Sequence, residues 1–286
     1  MTMLKKIYTI LFALVVLFCS CGTEENTPEL PGTDGNGSGG DTEITLKVMT
    51  YNVKHCSPYI PGVAEPDIDI QATANVIKSN EPDIVFVQEI DRNTKRSNGV
   101  DQVTELAKLS GFAHFYFSKG QDYQGGEYGD AIFSKFPLRN TATYDLPRIE
   151  IEGSYVGYCT LGRATVTTGG HTITIANTHL ATTQENRDIQ LPFINETLKS
   201  SKYPVILGGD MNATPYNSTI STLDSYGFVR SGKGLNQFTI PSIDPTRELD
   251  YICFRPVEKF EVAEHKVITG TNASDHLPVI STIKIK

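Results

Sequence analysis

Eight polar residues share one placement, each at the end of an apolar, strand-like run. Asn52 follows Val48-Met49-Thr50-Tyr51, and Glu89 ends Ile84-Val85-Phe86-Val87-Gln88. His179 closes the run from Ile173 to Thr178, while Asp210 and Asn212 follow Val205-Ile206-Leu207. Asp250 opens Tyr251-Ile252, and Asp275-His276 opens Leu277-Pro278-Val279. Oxygen donors of this kind suit a hard divalent cation, and two imidazoles add groups that move protons near neutral pH. Taken one at a time, each residue also has a structural explanation. Asn52 could close a strand, and Asp210 and Asn212 in GGDMNATP could be turn and cap residues. His179 and His276 could be hydrogen-bonded structural histidines, and Glu89 a solvated loop acid. What points to chemistry is their joint pattern, because strand ends are where a rigid scaffold presents reactive groups.

The elements that must position these residues are legible in outline. Strands are expected over 46–53, 83–87, 113–118, 131–134 and 155–167, with a Gly169-Gly170 hairpin into 171–178. Further strands are expected over 204–207, 251–254, 259–267 and 278–285. Helical spacing of Ile70, Ala74 and Ile77 predicts a helix over 68–79. A second is expected over 103–109, stopped by Gly111, and a third over 185–200. Hairpins mixed with separated helices imply two packed sheets with helices outside. No internal repeat is visible.

Composition narrows the class. The 286 residues are 39% hydrophobic and 20% charged, with 15 Pro and no Trp, which excludes disordered, collagen-like and disulfide-dense chains. The formal net charge is −8, and six acids fall within 22–43, so residues 44–286 stay mildly acidic. Such a domain lacks the electrostatic footprint of a protein that grips long nucleic acid. Residues 1–20 read as a signal peptide: Lys5 and Lys6, an apolar run from Ile10 to Phe18, then Ser20 before Cys21. The apolar run is too short for a comfortable membrane span. Ser20-Cys21-Gly22 is similar to a lipobox, although Phe18 stands where an aliphatic residue is usual. Lipidation of Cys21 is the expectation, with an ordinary cleaved secretory signal as the alternative. Residues 21–43 then form a flexible acidic linker, and 44–286 a catalytic domain. Cys56, Cys159 and Cys253 are an odd set with no close pair, so free thiols are expected.

In chain order the motifs are TYNV (50–53), VQEID (87–91), YGDAIFSKFPL (128–138), NTHL (177–180), GGDMN (208–212), LDYI (249–252) and SDHLPV (274–279). Together they resemble the endonuclease/exonuclease/phosphatase superfamily, from about Leu46 to the C-terminus. The resemblance implies an α/β fold: a four-layered α/β sandwich, two mixed β-sheets face to face with helices outside. It implies that Glu89, with Asn52 beside it and Asp275 as a further acid, holds Mg²⁺, with Mn²⁺ as the alternative metal. His276 resembles the family's catalytic histidine, oriented by Asp250. Asp210 and Asn212 resemble the pair that positions water and the transition state, and His179 the histidine that contacts phosphate. Two positions depart from the pattern. Lys54 stands where some members carry an acid, and Asp130 where Asn is common.

Substrate is the least legible part. Lys54, Arg96 in the basic turn 91–96, Tyr128 near Tyr123, and Arg187 are candidates to bind it, with solvated or packed loops as the equal alternative for each loop residue. The expectation is a Mg²⁺-dependent phosphodiesterase or phosphatase, acting as a monomer outside the cytoplasm on a phosphoester such as a lipid head group. It would be anchored through Cys21 at the outer membrane or cell surface. A secreted nuclease and a non-catalytic surface-binding module are the alternatives.

Overall fold

The structure, a computed structural model, describes residues 43–153 and 157–286. The stretch read as an export signal, Cys21 and the expected linker as far as Thr42 lie outside the described residues. No helix among the described residues is long and apolar enough to cross a membrane.

Twelve strands and four helices are described. The first sheet holds β1 (Ile44–Asn52), β2 (Ile84–Arg92), β3 (His114–Tyr123), β4 (Gly126–Ser134), β11 (Phe260–Val267) and β12 (Val279–Ile285), in the order β11-β12-β1-β2-β4-β3. The second holds β5 (Arg139–Asp145), β6 (Thr160–Thr168), β7 (His171–His179), β8 (Val205–Asp210), β9 (Val229–Arg230) and β10 (Asp250–Arg255), in the order β5-β6-β7-β8-β10-β9. Each sheet is mixed: β1 pairs parallel with β2 and β7 with β8, and the other pairings are antiparallel.

Helices α1 (Ile70–Asn80) and α2 (Gln102–Ser110) cover the first sheet; α3 (Gln184–Lys199) and α4 (Ser218–Ser225) cover the second. Asp69 caps α1 through the Ala72 N–H at 2.8 Å, and Asp101 caps α2 through Thr104 at 3.2 Å. Gly111 ends α2 at φ 85°, the left-handed conformation that glycine adopts without steric cost. The expected four-layered sandwich is what forms. Strand β5, helix α4 and the short β9 are additions that hydrophobic periodicity missed. β5 reads RNTATYD, too polar to announce itself, and α4 reads STISTLDS, dominated by residues of weak helix propensity.

Alternation along each strand divides the apolar residues between layers. Leu46 and Val48 of β1, with Ile84 and Phe86 of β2, enter the core between the sheets. There they meet Ile173 and Ile175 of β7, Ile206 of β8, and Ile252 and Phe254 of β10. Met49, Tyr51, Val85 and Val87 face the other way, onto α1 and α2. At Gly208 an added Cβ would collide with the Phe86 ring from the opposite sheet.

A buried polar lock joins the sheets beyond this core. Gln88 donates to the Asn177 Oδ1 at 2.6 Å, and the Asn177 amide donates to the Val87 and Ala131 carbonyls at 2.8 and 2.9 Å. Asn177→Ala would remove these three hydrogen bonds from a buried layer. The expected cost is on the order of 2–4 kcal/mol, read as a lower urea midpoint at unchanged slope. A midpoint shift within error would refute the lock.

Candidate active site

The same alternation that fills the inter-sheet core delivers the site. Counting in twos from Leu46 and Val48 leads to Thr50 and Asn52, and from Ile173 and Ile175 to Asn177 and His179. From Ile206 it leads to Gly208 and Asp210, and from Phe254 and Ile252 back to Asp250. Each chain of apolar residues therefore turns polar at one end of the sandwich, in the same layer.

Glu89 is the exception, since strict alternation would send it toward the helices with Val85 and Val87. The sequence suggests a strand that stops at Val87, but β2 runs on to Arg92 through a bulge. Val87 pairs with Ala131 and Ile90 with Gly129, so Gln88 and Glu89 together oppose Asp130. Glu89 takes φ 57°, a conformation that costs a non-glycine residue energy and turns its side chain into the cleft. Asp130 accounts for its own departure from the family pattern here. Its carboxylate accepts from the Glu89 N–H at 3.3 Å and from the Thr160 hydroxyl at 3.3 Å. Burial pushes the Asp130 carboxyl up to about 6.

Hydrogen bonds connect the polar ends. The Asn52 amide donates to Glu89 at 3.0 Å and to Asp210 at 3.2 Å, while its oxygen accepts from the Lys54 N–H at 3.1 Å. Asn52 therefore braces two carboxylates and turns its oxygen away from Glu89. The Oδ2 of Asp210 lies 3.5 Å from the His179 Nε2 and 3.7 Å from the His276 Nε2. Its Oδ1 accepts from the Asn212 N–H at 2.8 Å. Asn212, at φ 46°, donates its amide to the Leu180 carbonyl at 2.8 Å and meets the His179 Nε2 at 2.9 Å.

Behind His276, Asp250 accepts from the Nδ1 at 2.8 Å, and the Thr239 hydroxyl donates to the same carboxylate oxygen at 2.6 Å. Burial alone would lower the His276 imidazole, but the facing Asp250 and Asp210 carboxylates carry it well above its ordinary value. His179 behaves alike: burial lowers it, and Asp210, Glu89 and Asp130 together raise it.

Glu89, Asp130, His179, Asp210, Asn212 and His276 open onto one cleft of about 470 Å³, walled also by Arg96, Tyr123, Tyr128, Tyr158 and Arg247, with Asn52 and Asp250 buried behind it. The donor set fits a divalent cation. Glu89, Asp130 and Asp210 concentrate carboxylates there, and among the described residues no lysine or arginine pairs with any of the three. Asp210, Asp250 and His276 also have metal-ligand spacing, their donor atoms lying within 4.8 Å of one another. Since Asp250 is already engaged by His276 and Thr239, the open position is in front of Glu89.

The other sequence candidates separate. Asp275 and Lys54 form an ion pair at 3.3 Å, so the lysine neutralises the acid and neither lines the cleft. Arg96 does line it, held in a fork by the fully buried Asp91 at 2.7 and 2.9 Å. Its guanidinium rests 4.6 Å from the Tyr123 ring and 5.4 Å from that of Tyr128. Arg187 is a correction to the sequence reading. It is 5% exposed and spends its donors on the Ala181 and Thr182 carbonyls, Thr219 and Gln184, so it braces the loop after β7 and does not line the cleft. Cys56, Cys159 and Cys253 are free, as expected. Thr239, Asn177 and Arg247 were missed; a polar residue among apolar neighbours at 177 was the one signal that periodicity offered.

Solved structures agree with this architecture. An endonuclease/exonuclease/phosphatase family protein from Bacteroides thetaiotaomicron superposes with a TM-score of 0.71 at 17% identity, over 86% of this chain and 99% of that one. A mannosyl-6-phosphatase from the same organism gives 0.67 at 18% identity, over 83% and 99%. The human Nocturnin catalytic domain gives 0.64 at 20%, over 85% and 95%. No curated protein matches the sequence significantly. The family model for the endonuclease/exonuclease/phosphatase family matches residues 49–276, the span that carries every strand-end residue described above, and the chain belongs to that family of phosphoester hydrolases.

Proposed function

We propose that the protein is a Mg²⁺-dependent hydrolase of a compact phosphoester, with Mn²⁺ able to replace Mg²⁺. The observation that carries this reading is the convergence of His179, Asp210 and His276 on one cleft wall that also presents Glu89. The bound cation would offset the charge of the phosphoryl oxygens that otherwise repel a nucleophile. Glu89 would hold it, with Asn52 keeping that carboxylate and Asp210 in fixed relation. Asp210 accepts the proton of the attacking water, whose oxygen bonds to phosphorus as the ester P–O bond breaks opposite it. His276, kept by Asp250 with Nε2 toward the cleft, and His179 with Asn212 hold the phosphoryl oxygens as charge shifts onto them. The leaving alkoxide takes a proton from solvent water at the open mouth of the cleft, and Asp210 returns the proton it accepted to solvent, so the step balances.

The cleft dimensions and its aromatic wall favour a small head group or sugar phosphate over a polymer. Mild acidity supports the same preference. Export and attachment through a lipidated Cys21 complete the proposal and place the substrate outside the cytoplasm.

Hydrolysis with Mg²⁺ or with EDTA should be compared on an aryl phosphomonoester, a bis-aryl phosphodiester, sphingomyelin, an inositol polyphosphate, and duplex and single-stranded DNA. Cleavage of a small ester that EDTA abolishes is expected. Cleavage confined to DNA, falling steeply with salt, would replace this reading with a nuclease. Tight ligand binding without turnover or metal dependence would indicate a binding module.

A further inference from the structure

The cleft has two arginines in its wall, and they differ in what their charge is spent on. The Arg96 guanidinium is committed to Asp91, which takes it in a two-point fork, and to the two tyrosine rings. Arg247 is exposed, lines the same cleft as His276, and has no side-chain partner among the described residues. Its backbone is nonetheless held at both ends of the peptide unit. The Thr239 and Ile240 N–H groups donate to its carbonyl at 2.7 and 3.1 Å, and its own N–H donates to the Ile240 carbonyl at 3.0 Å.

That mounting is tied directly to the catalytic groups. Thr239 donates its hydroxyl to Asp250, and its carbonyl accepts from the Leu277 N–H at 2.7 Å, one residue beyond His276. The Ser242 N–H reaches the Asp275 carbonyl at 2.7 Å. The backbone that carries this free guanidinium is thus fixed to the frame that sets His276, in a cleft whose other unpaired charges are carboxylates. Water solvates the exposed guanidinium, so it needs no partner for stability, and its fork of donors stays open to an incoming anion.

Resting on the phosphoester reading above, we propose that Arg247 is the phosphoryl-binding arginine of the cleft and that it selects phosphomonoesters over diesters. An arginine fork uses two non-bridging oxygens at once. His276, the His179–Asn212 pair and a cation at Glu89 compete for the same atoms. A monoester has three free oxygens to share among them and carries the second negative charge; a diester has two, and its extra substituent must occupy the mouth where Arg247 stands.

The test compares wild type with Arg247→Met and Arg247→Lys on the aryl phosphomonoester and the bis-aryl phosphodiester. The ratio of kcat/KM for the two esters, taken relative to wild type, cancels their intrinsic reactivities. Arg247→Met should lower that monoester-to-diester ratio by about 10- to 100-fold, with Arg247→Lys between the two. Binding of inorganic phosphate, measured by calorimetry with EDTA present, should weaken by a similar factor while the thermal midpoint is unchanged. An unchanged ratio or unchanged phosphate affinity in Arg247→Met overturns the proposal. Absence of ester hydrolysis by wild type would instead overturn the hydrolase reading, and phosphate binding would still decide the role of Arg247.

Discussion

Glu89→Gln should reduce hydrolysis to the level seen with EDTA, a loss of about three orders of magnitude or more. Metal polarisation of a phosphoryl oxygen supplies several kcal/mol of transition-state stabilisation, and each 1.4 kcal/mol is about a factor of ten. Glutamine keeps the volume at the bulge and an oxygen for the Asn52 amide, so the φ 57° conformation has the same support. What it removes is, among the described residues, the one cleft carboxylate with an oxygen that accepts no hydrogen bond. A second readout needs no turnover. Wild type should gain thermal stability with added Mg²⁺ by mass action, and Glu89→Gln should show no such gain. The variant without metal should be at least as stable as wild type without metal, because Asp130 and Asp210 lose a like-charged neighbour. A variant that kept both activity and the Mg²⁺-dependent shift would remove Glu89 from the metal site.

His276→Ala is expected to lower kcat by roughly 10²- to 10⁴-fold, the range for losing a positioned proton-transfer or charge-stabilising group. Its position makes a purely structural effect a real competitor: His276 is 5% exposed, and its removal leaves Asp250 buried with Thr239 as its hydrogen-bond donor. Breaking such a pair from one side costs about 3–5 kcal/mol, so activity must be measured where circular dichroism shows the variant folded. Asp250→Asn separates the two effects. It removes the charge that holds the Nδ1 proton while retaining shape, so kcat should fall with little change in KM and a smaller loss of stability. Full activity in folded His276→Ala would refute its assignment.

Much of this site is legible in the sequence because strand periodicity is a local rule. Once Leu46 and Val48 face the inter-sheet core, the pleat sends Asn52 to the same face, and the same holds for His179, Asp210 and Asp250. The motif order then identifies the family, and the family implies the sandwich. Periodicity fails at Glu89, where an inserted residue breaks the alternation and Asp130 on the neighbouring strand satisfies the freed N–H. A bulge depends on which strand lies opposite, and that is not a property of β2 alone.

The arginines show the other limit. Composition and local context made Arg96 and Arg187 equal candidates, and they did not distinguish Arg247. A long cationic side chain reaches several directions from one backbone position, so its role depends on the acceptors that tertiary packing places around it. Packing surrounds Arg187 with carbonyls and Arg96 with Asp91, it pairs Lys54 with Asp275, and it leaves Arg247 facing the cleft. The sequence by itself determined the layer in which the reactive groups lie, through a two-residue period that needs no knowledge of neighbours. Only the tertiary structure decided which charges are neutralised and which remain for a ligand, because that balance is struck between segments far apart in the chain.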